Sequence, residues 1–232
     1  MELYFYYIDG QYIDFLKKYE KERRSFTCVP NSSYWNTNKF TFGAVLEVNN
    51  INYFVPVSSY SKKQEDVILI TDKFAKSKAQ QYKVLGSLRF AYMIPAPNHC
   101  IKKLDINQMP TENSRIHVAK ELAYCRRNRD KIKRQAQKTY ERVINKVDPD
   151  LTKHSCDFKL LEQAYAEYVD MMPRYLETTK QGIKLLQENG IEFEARPSPK
   201  KDDVLIIKIK NKDKPTAEHI LNIIQHKNRL SK

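Results

Sequence analysis

The sequence predicts an α+β protein: a curled antiparallel β-sheet or small barrel flanked by helices, with a C-terminal β-hairpin plus helix extension. Three observations support this class. Residues 1–108 read mostly as short strands, residues 111–189 show helical periodicity, and the remaining residues return to strands before a last helix. A chain of 232 residues, 41% of them hydrophobic, can bury a stable core without disulfide bonds or structural metal sites. We expect a main domain over residues 1–175 and an extension over residues 176–232.

The β-rich part opens with a strand over residues 3–8 and a helix from Gly10, on which apolar and aromatic side chains recur at helical spacing. Residues 25–38 are rich in turn formers and predict a polar loop. Strands over residues 39–48 and 51–57 flank Asn49-Asn50, a dipeptide typical of a tight hairpin turn. Further strands are predicted over residues 67–70, 85–94 and 101–104, and Pro95 and Pro97 end the second of these.

The helical part is predicted to begin at a cap on Thr111 or Asn113 and to form one long helix over residues 115–146. A second helix opens near Asp157. Pro173 kinks or ends it, and the helical pattern then resumes to Leu186. In the tail, strands over residues 191–195 and 204–209 flank a proline-rich turn, and a helix follows over residues 216–229.

Charge is the strongest compositional signal. The chain has 41 Lys and Arg against 28 Asp and Glu, which gives a net charge of +13 and a pI near 9.4. This balance favours a polyanionic partner, nucleic acid more than a membrane surface, although solubility alone would also account for it. No apolar run approaches the roughly 18 residues of a membrane span, and residues 1–10 lack the features of a secretory signal. We therefore expect a cytoplasmic protein.

The predicted helix over residues 115–146 concentrates this charge, with eleven basic residues against three acids. Arginine planes stack on unpaired bases, so the helix is a candidate RNA-binding surface. A solvated helix face of unusual composition is the simpler alternative. The candidate RNA-binding residues on it are Arg115, Lys120, Arg126, Arg127, Arg129, Lys131, Lys133, Arg134 and Lys138.

A second candidate is the segment that follows the returning hairpin strand, where Ser58 and Ser59 precede Lys62 and Lys63. Two hydroxyls beside two amines can bind a phosphate and help to transfer protons at a ribose oxygen. Lys39 opens the first strand of the same hairpin, so it and the serines are expected at one end of the sheet. A polar turn between strands would have the same composition.

Tyr12, Tyr34 and Trp35 offer aromatic faces on which bases can stack, although each could instead pack in the core. Motifs for other chemistries are missing from the sequence. It has no paired-carboxylate metal pattern, no P-loop, no GxGxxG, no GxSxG and no HExxH. Its four cysteines and five histidines show no metal-ligand spacing, so neither a metal nor a cofactor is predicted.

A set of residues that includes several of these candidates follows a distinctive order along the chain. The set is Tyr4, Tyr12-Ile13, Phe15-Leu16, Lys39-Phe40, Gly43, Val45-Leu46-Glu47, Tyr53, Pro56, Ser58-Ser59, Met93-Ile94-Pro95, Asp105, Met109-Pro110, Cys156, Phe158, Leu160-Leu161-Glu162 and Tyr165. This order resembles the ToxN/AbiQ family of endoribonuclease toxins from type III toxin–antitoxin and abortive-infection systems. The similarity runs from about residue 1 to 172 and leaves out the tail.

The resemblance implies a metal-independent, sequence-selective ribonuclease with a fold like that of the MazF/Kid toxins. It also implies a phage-defence role and, as partners, target mRNA and a small pseudoknot RNA antitoxin encoded as tandem repeats. By the same resemblance, the toxin is expected to cut this antitoxin from a precursor and to hold it in a closed protein–RNA ring. By position, Ser59 matches the family's essential serine, and Ser58, Lys39 and Tyr12 match other active-site residues. Lys62, or Lys63, matches a lysine after the serine, and Trp35 or Tyr34 matches a loop tyrosine.

The expected chemistry is attack by the ribose 2′-hydroxyl, leaving a 2′,3′-cyclic phosphate and a 5′-hydroxyl. Lys39 and Lys62 would stabilise the phosphorane, and the serines would orient the phosphate. Tyr12 and a lysine are both candidates for the general base. The alternatives from other classes are a non-catalytic RNA-binding module and a protein-interaction scaffold whose charge is incidental.

Overall fold

The computed structural model describes residues 3–31, 33–34, 37–72, 77, 83–199, 201 and 203–230. The chain divides into two compact units, Met1–Tyr165 and Ala166–Lys232. This division lies N-terminal to the predicted domain boundary between residues 175 and 176. In the described residues, no helix is long and apolar enough to cross a membrane.

The first unit is built on an antiparallel sheet with the strand order β6-β7-β5-β4-β1-β9, and β8 also pairs with β5. In chain order the strands of this unit are β1 (Tyr4–Ile8), β2 (Ser33–Tyr34), β3 (Thr37–Asn38), β4 (Thr41–Val48), β5 (Ile51–Ser58), β6 (Val67–Thr71), β7 (Val84–Arg89), β8 (Ile94–Pro95) and β9 (Ile101–Lys103). Strands β2 and β3 pair with each other outside this sheet. The predicted α+β class with an antiparallel sheet is confirmed. The described strands leave the sheet open, so the small closed barrel is not formed.

The β4–β5 hairpin forms as predicted because its turn residues accept the required backbone conformation. Asn49 and Asn50 have φ angles of 50° and 63°. Asparagine tolerates this left-handed region, which a two-residue hairpin turn requires. Thr41 pairs with Pro56 at the open end of the hairpin, so the residues that flank this pair lie side by side.

The strand predicted over residues 85–94 is wrong in its second half. Strand β7 ends at Arg89, a 3₁₀ turn spans Phe90–Tyr92, and β8 follows. Both strands pair with β5, β7 through Val57 and Ser58 and β8 through Tyr53 and Phe54. The turn therefore interrupts one continuous edge along β5, and its apolar residues Phe90 and Ala91 are buried. Uniform burial hid this break from the sequence pattern.

The helices of the first unit are α1 (Gly10–Arg24), α2 (Glu112–Arg127), α3 (Arg129–Ile144) and α4 (Pro149–Lys153), and α5 (Phe158–Met171) runs across the division between the units. The Asp9 side chain caps α1, and Thr111 caps α2 in a capping box with Ser114. The single long helix predicted over residues 115–146 is wrong, because Asn128 (φ −101°, ψ 19°) separates α2 from α3. Its side-chain amide donates to the Tyr124 carbonyl (2.9 Å) and so satisfies the end of α2.

The second unit is a three-stranded antiparallel sheet with two helices. Its elements are β10 (Pro173–Thr178), α6 (Lys180–Glu188), β11 (Phe193–Pro197), β12 (Leu205–Lys210) and α7 (Lys214–Leu230), and the strand order is β10-β12-β11. Its core contains Leu186, Ile207, Ile209, Ala217, Ile220 and Leu221.

The helical pattern predicted to resume after Pro173 is wrong over residues 173–178. In this strand Thr178 is buried and Leu176 half-buried, whereas Tyr175 and Glu177 are exposed. This alternation is a strand pattern rather than a helical one. Helix α6 confirms the later part of that pattern, so the one element that the prediction lacked here is the strand β10.

Candidate active site

The open end of the β4–β5 hairpin brings Lys39 and the two serines together, as the sequence predicts. The Val57 amide donates to the Phe40 carbonyl (3.2 Å), which continues the register beyond the Thr41–Pro56 pair. Lys39, Ser58 and Ser59 all line one cavity of about 1130 Å³, hereafter the serine cavity. A cation and two hydroxyls thus face a space large enough for a nucleotide.

The two serines differ in how they are held. Ser58 is half-buried, and its hydroxyl accepts a hydrogen bond from the Tyr60 amide (3.2 Å). Its carbonyl accepts a hydrogen bond from the buried Ser87 hydroxyl (3.4 Å). Ser59 is exposed at the start of the serine loop, residues 59–66. Ser58 is therefore held within the turn, whereas Ser59 lies exposed at the wall of the cavity.

Other elements of the first unit complete the wall of the serine cavity. Helix α1 contributes Lys17, the segment 27–31 follows that helix, and β7 contributes Leu85 and Arg89. Helix α2 contributes an apolar side chain and two titratable groups: Val118, His117 and Glu121. The site thus depends on the packing of α1 and α2 against the sheet.

Arg89 is a cavity residue that the sequence analysis missed. Its guanidinium carbon lies 4.2 Å from the Tyr92 ring centroid and 4.7 Å from the Tyr60 ring centroid. Its Nε is buried and has no hydrogen-bond partner among the described residues. An arginine that contacts two aromatic rings and lines a cavity is suited to bind a phosphate. The available signal was a charged residue inside an apolar run, between Leu88 and Phe90.

Glu121 and His117 form a second missed feature. The Glu121 side chain belongs to a residue that is only 3% exposed, and its Oε1 lies 3.4 Å from Nε2 of the half-exposed His117. Burial raises the pKa of Glu121 to about 8. The sequence analysis counted this residue only as one of three acids on a basic helix. Its i, i+4 spacing from a histidine was the available signal.

Tyr12 lies in the core rather than in the serine cavity. The residue is fully buried, and its hydroxyl donates to the Pro95 carbonyl (2.9 Å). Lys62 and Lys63 are exposed on the serine loop and do not line the cavity. Tyr34 belongs to β2, but its side chain lies outside the described part of the structure, as does the whole of Trp35. The stacking role predicted for these two aromatics stays a prediction.

A family model described as toxin ToxN, type III toxin–antitoxin system, matches residues 4–166. The chain belongs to this ToxN family. The match covers almost all of the first unit, so the serine cavity lies wholly within the family region.

Curated relatives of this ToxN-family chain are endoribonucleases by name. Endoribonuclease AbiQ of Lactococcus lactis subsp. lactis is 28% identical over 168 residues, which is 70% of this chain and 87% of AbiQ. Endoribonuclease ToxN of Pectobacterium atrosepticum is 30% identical over 170 residues, which is 71% of this chain and 92% of that protein.

Solved structures of the family share the fold. The structure of AbiQ, described as a lactococcal anti-phage endoribonuclease, superposes with a TM-score of 0.61 at 27% identity and covers 72% of this chain and 98% of AbiQ. A structure from a study of selective toxin inhibition by a non-coding RNA pseudoknot gives a TM-score of 0.58 at 25% identity. It covers 71% of this chain and 96% of its own. The relatives therefore match the first unit nearly end to end.

The basic surface of the ToxN-family region is spread over two helices instead of one. All nine candidate RNA-binding residues between Arg115 and Lys138 are exposed. Lys120 pairs with Asp72 (2.7 Å) and Lys138 pairs with Glu65 (3.1 Å). In contrast, Arg115, Lys131, Lys133 and Arg134 have no ion pair within the described residues, so these four are the more available to a polyanion.

Proposed function

We propose that this chain is the endoribonuclease toxin of a type III toxin–antitoxin system that acts in phage defence. Membership of the ToxN family and the endoribonuclease names of its curated relatives support this proposal. The observation that carries it is the serine cavity, where Ser58 and Ser59 meet the cationic residues Lys39 and Arg89. This combination suits the binding of a phosphodiester.

The proposed reaction is metal-independent cleavage by attack of the ribose 2′-hydroxyl on the adjacent phosphorus. Ser59 and Ser58 would donate hydrogen bonds to the non-bridging oxygens. These bonds would hold the phosphorus so that the attacking 2′-oxygen lies in line with the leaving 5′-oxygen. Lys39 and Arg89 would stabilise the negative charge that develops on the phosphorane, because cations already placed beside the phosphate favour that charge as it forms. Lys62, or Lys63, would reach in from the serine loop when RNA is bound.

Tyr12 takes a positioning role in this proposal. Its hydroxyl is committed to the Pro95 carbonyl, and the residue is fully buried. A group that acts on the 2′-hydroxyl must come within hydrogen-bond reach of that oxygen. We therefore assign no proton-transfer step to Tyr12.

The proposed partners are target mRNA and a small structured RNA antitoxin. One structural relative comes from a study of toxin inhibition by an RNA pseudoknot, which supports an antitoxin of that kind here. The exposed basic residues of α2 and α3 would contact RNA phosphates, and such contacts weaken steeply with salt. A closed ring of alternating protein and RNA in the cytoplasm is the assembly that we propose.

Cleavage of total cellular RNA in excess EDTA, with end-group analysis of the products, tests the proposed function. We expect the wild-type chain to leave 2′,3′-cyclic phosphates and 5′-hydroxyls. Ser59→Ala should slow cleavage by at least about 10²-fold while RNA binding is retained. Ser61→Ala is the matched control, since Ser61 is an exposed serine of the same loop that does not line the cavity.

Two results would contradict the proposal in different ways. Cleavage by Ser59→Ala at the wild-type rate would remove the serine cavity from the mechanism. A folded wild-type chain that binds RNA and never cuts it would make the protein a binding module.

A further inference from the structure

We propose that Glu121 is the general acid of the cleavage reaction and donates a proton to the leaving 5′-oxygen. This inference rests on the proposed ribonuclease function and adds a residue to it. It is carried by the place of Glu121 in the serine cavity.

The position of Glu121 is set by a glycine in the neighbouring strand. The Oε1 atom lies directly over Gly86 of β7, in the space that a β-carbon at that position would occupy. The Ser58 carbonyl lies 3.2 Å from the same β-carbon position. The carboxyl is thus placed beside the backbone of the serine turn, and the missing side chain of Gly86 is what lets it approach.

The carboxyl is buried without the partners that a structural carboxylate has. The residue is 3% exposed, and His117 provides its one ion-pair contact within the described residues. Buried charges in proteins are normally paired and hydrogen-bonded. A nearly unpaired carboxyl that lines a cavity, by contrast, is a group available to a ligand.

The protonation state of Glu121 suits a proton donor. Burial raises its pKa to about 8, so it carries a proton at neutral pH. The charged and titratable groups that share the cavity are Lys17, Cys28, Lys39, Arg89, Tyr92 and His117, and Cys125 lies on the same helix. Asp72, which follows β6, pairs with Lys120 (2.7 Å). A catalytic acid is most effective when its pKa lies near the working pH.

The proton balance of the step is complete without any co-reactant. The 2′-oxygen forms a bond to phosphorus and gives up its proton to a base. The bond between phosphorus and the 5′-oxygen breaks, and the 5′-oxygen takes the proton of Glu121. The carboxylate regains a proton from solvent by way of the half-exposed His117.

The test compares two substrates in the Glu121→Gln variant. One is an oligonucleotide that spans a site cut by the wild-type chain, and the other carries sulfur in place of the bridging 5′-oxygen at that site. A thiolate leaves without protonation, since thiols ionise near pH 8.5. We expect Glu121→Gln to slow cleavage of the oxygen substrate by about 10²- to 10⁴-fold and cleavage of the sulfur substrate by less than about tenfold.

Glu112→Gln is the matched control, because Glu112 is an exposed glutamate on the same helix and does not line the cavity. We expect Glu121→Gln to melt close to the wild-type temperature at neutral pH, because a neutral amide replaces a protonated carboxyl of nearly the same size. The pH–rate profile of the wild-type chain gives a second measurement that needs no variant. Cleavage of the oxygen substrate should fall as pH rises through about 8, where the carboxyl loses its proton, and the sulfur substrate should not show this loss.

Equal losses on both substrates would overturn the general-acid assignment, and so would cleavage of the oxygen substrate by Glu121→Gln at the wild-type rate. Both results leave the proposed ribonuclease intact. That proposal fails separately, if the wild-type chain cuts neither substrate.

Discussion

Two buried glutamates of the first unit show how similar residues serve different purposes. Glu20 is fully buried, and its carboxylate accepts hydrogen bonds from the Thr27 hydroxyl (2.7 Å) and from the amides of Cys28 (2.7 Å) and Asp157 (2.8 Å). Arg24 donates to it as well (2.7 Å). This saturated carboxylate fixes the segment at Thr27 and Cys28 that forms part of the cavity wall. Glu121 has no comparable set of donors within the described residues. We therefore assign it a role in proton transfer rather than a structural role.

Tyr12→Phe tests the positioning role at the scale of a single residue. Loss of the hydroxyl leaves the Pro95 carbonyl without this 2.9 Å donor. We expect the free energy of unfolding to fall by about 1–3 kcal/mol. Cleavage measured well below the melting temperature should stay within a few-fold of the wild-type rate. If the cleavage rate of a fully folded variant drops by about 10²-fold, Tyr12 is a catalytic residue after all.

At the scale of elements, the break at Asn128 divides the basic surface between two helices. Helix α3 is tied to the serine loop by three side chains. Gln135 donates to the Glu65 carbonyl (3.0 Å), and Lys138 and Arg142 pair with the Glu65 carboxylate (3.1 and 2.7 Å). The helix proposed to bind RNA is thereby connected to the serine loop.

Lys133 and Arg134 of α3, which have no ion pair within the described part of the chain, allow a test of RNA binding by this helix. We expect the double substitution Lys133→Ala and Arg134→Ala to weaken RNA binding. The slope of log binding constant against log salt concentration is negative. It should become less negative by about 0.7 for each phosphate of single-stranded RNA that the variant no longer neutralises. The measurement is a binding titration between about 50 and 200 mM salt. Lys18→Ala with Lys21→Ala, two exposed lysines of α1, is the matched control. Equal slopes for both double variants would exclude α3 as the RNA-binding helix.

At the scale of the whole molecule, the family region ends along the chain where the second unit begins. The relatives match about 70% of this chain and 87–98% of their own lengths. The second unit, with its own core around Ile207 and Leu221, is therefore an addition to the family fold. We propose that it modifies RNA binding or assembly.

A chain that ends after Met172 tests this division. It keeps the first unit and the whole of α5, whose Glu162 accepts hydrogen bonds from Tyr53 (2.9 Å) and Tyr140 (2.6 Å). We expect the shortened chain to fold cooperatively and to cut RNA at a rate within a few-fold of the full chain, because the complete serine cavity remains. An insoluble or inactive product beside an active full chain would show that the second unit is required.

The parts that the sequence predicted are those determined by local signals. The Asn49-Asn50 turn sets the hairpin register as far as the Leu46–Tyr53 pair. An irregularity between Gly43 and Leu46 then shifts the pairing by two residues, which brings Lys39 beside Ser58 rather than Tyr60. Arg89 and Glu121 were missed because their significance comes from long-range packing. A residue counted as a surface acid becomes a buried carboxyl at the cavity wall only when α2 packs over β7. The break at Asn128 was missed because apolar residues keep their helical spacing on both sides of it.

The spacing of the cavity residues along the chain has a consequence for synthesis on the ribosome. The hairpin that carries Lys39 and Ser59 leaves the ribosome first, and Glu121 is added 62 residues after Ser59. At about 5–20 residues per second, this interval lasts roughly 3–12 s. If the proposed mechanism holds, a nascent chain shorter than this lacks the proton donor. Translation must therefore pass Glu121 before the messenger RNA that encodes this chain is exposed to a complete serine cavity.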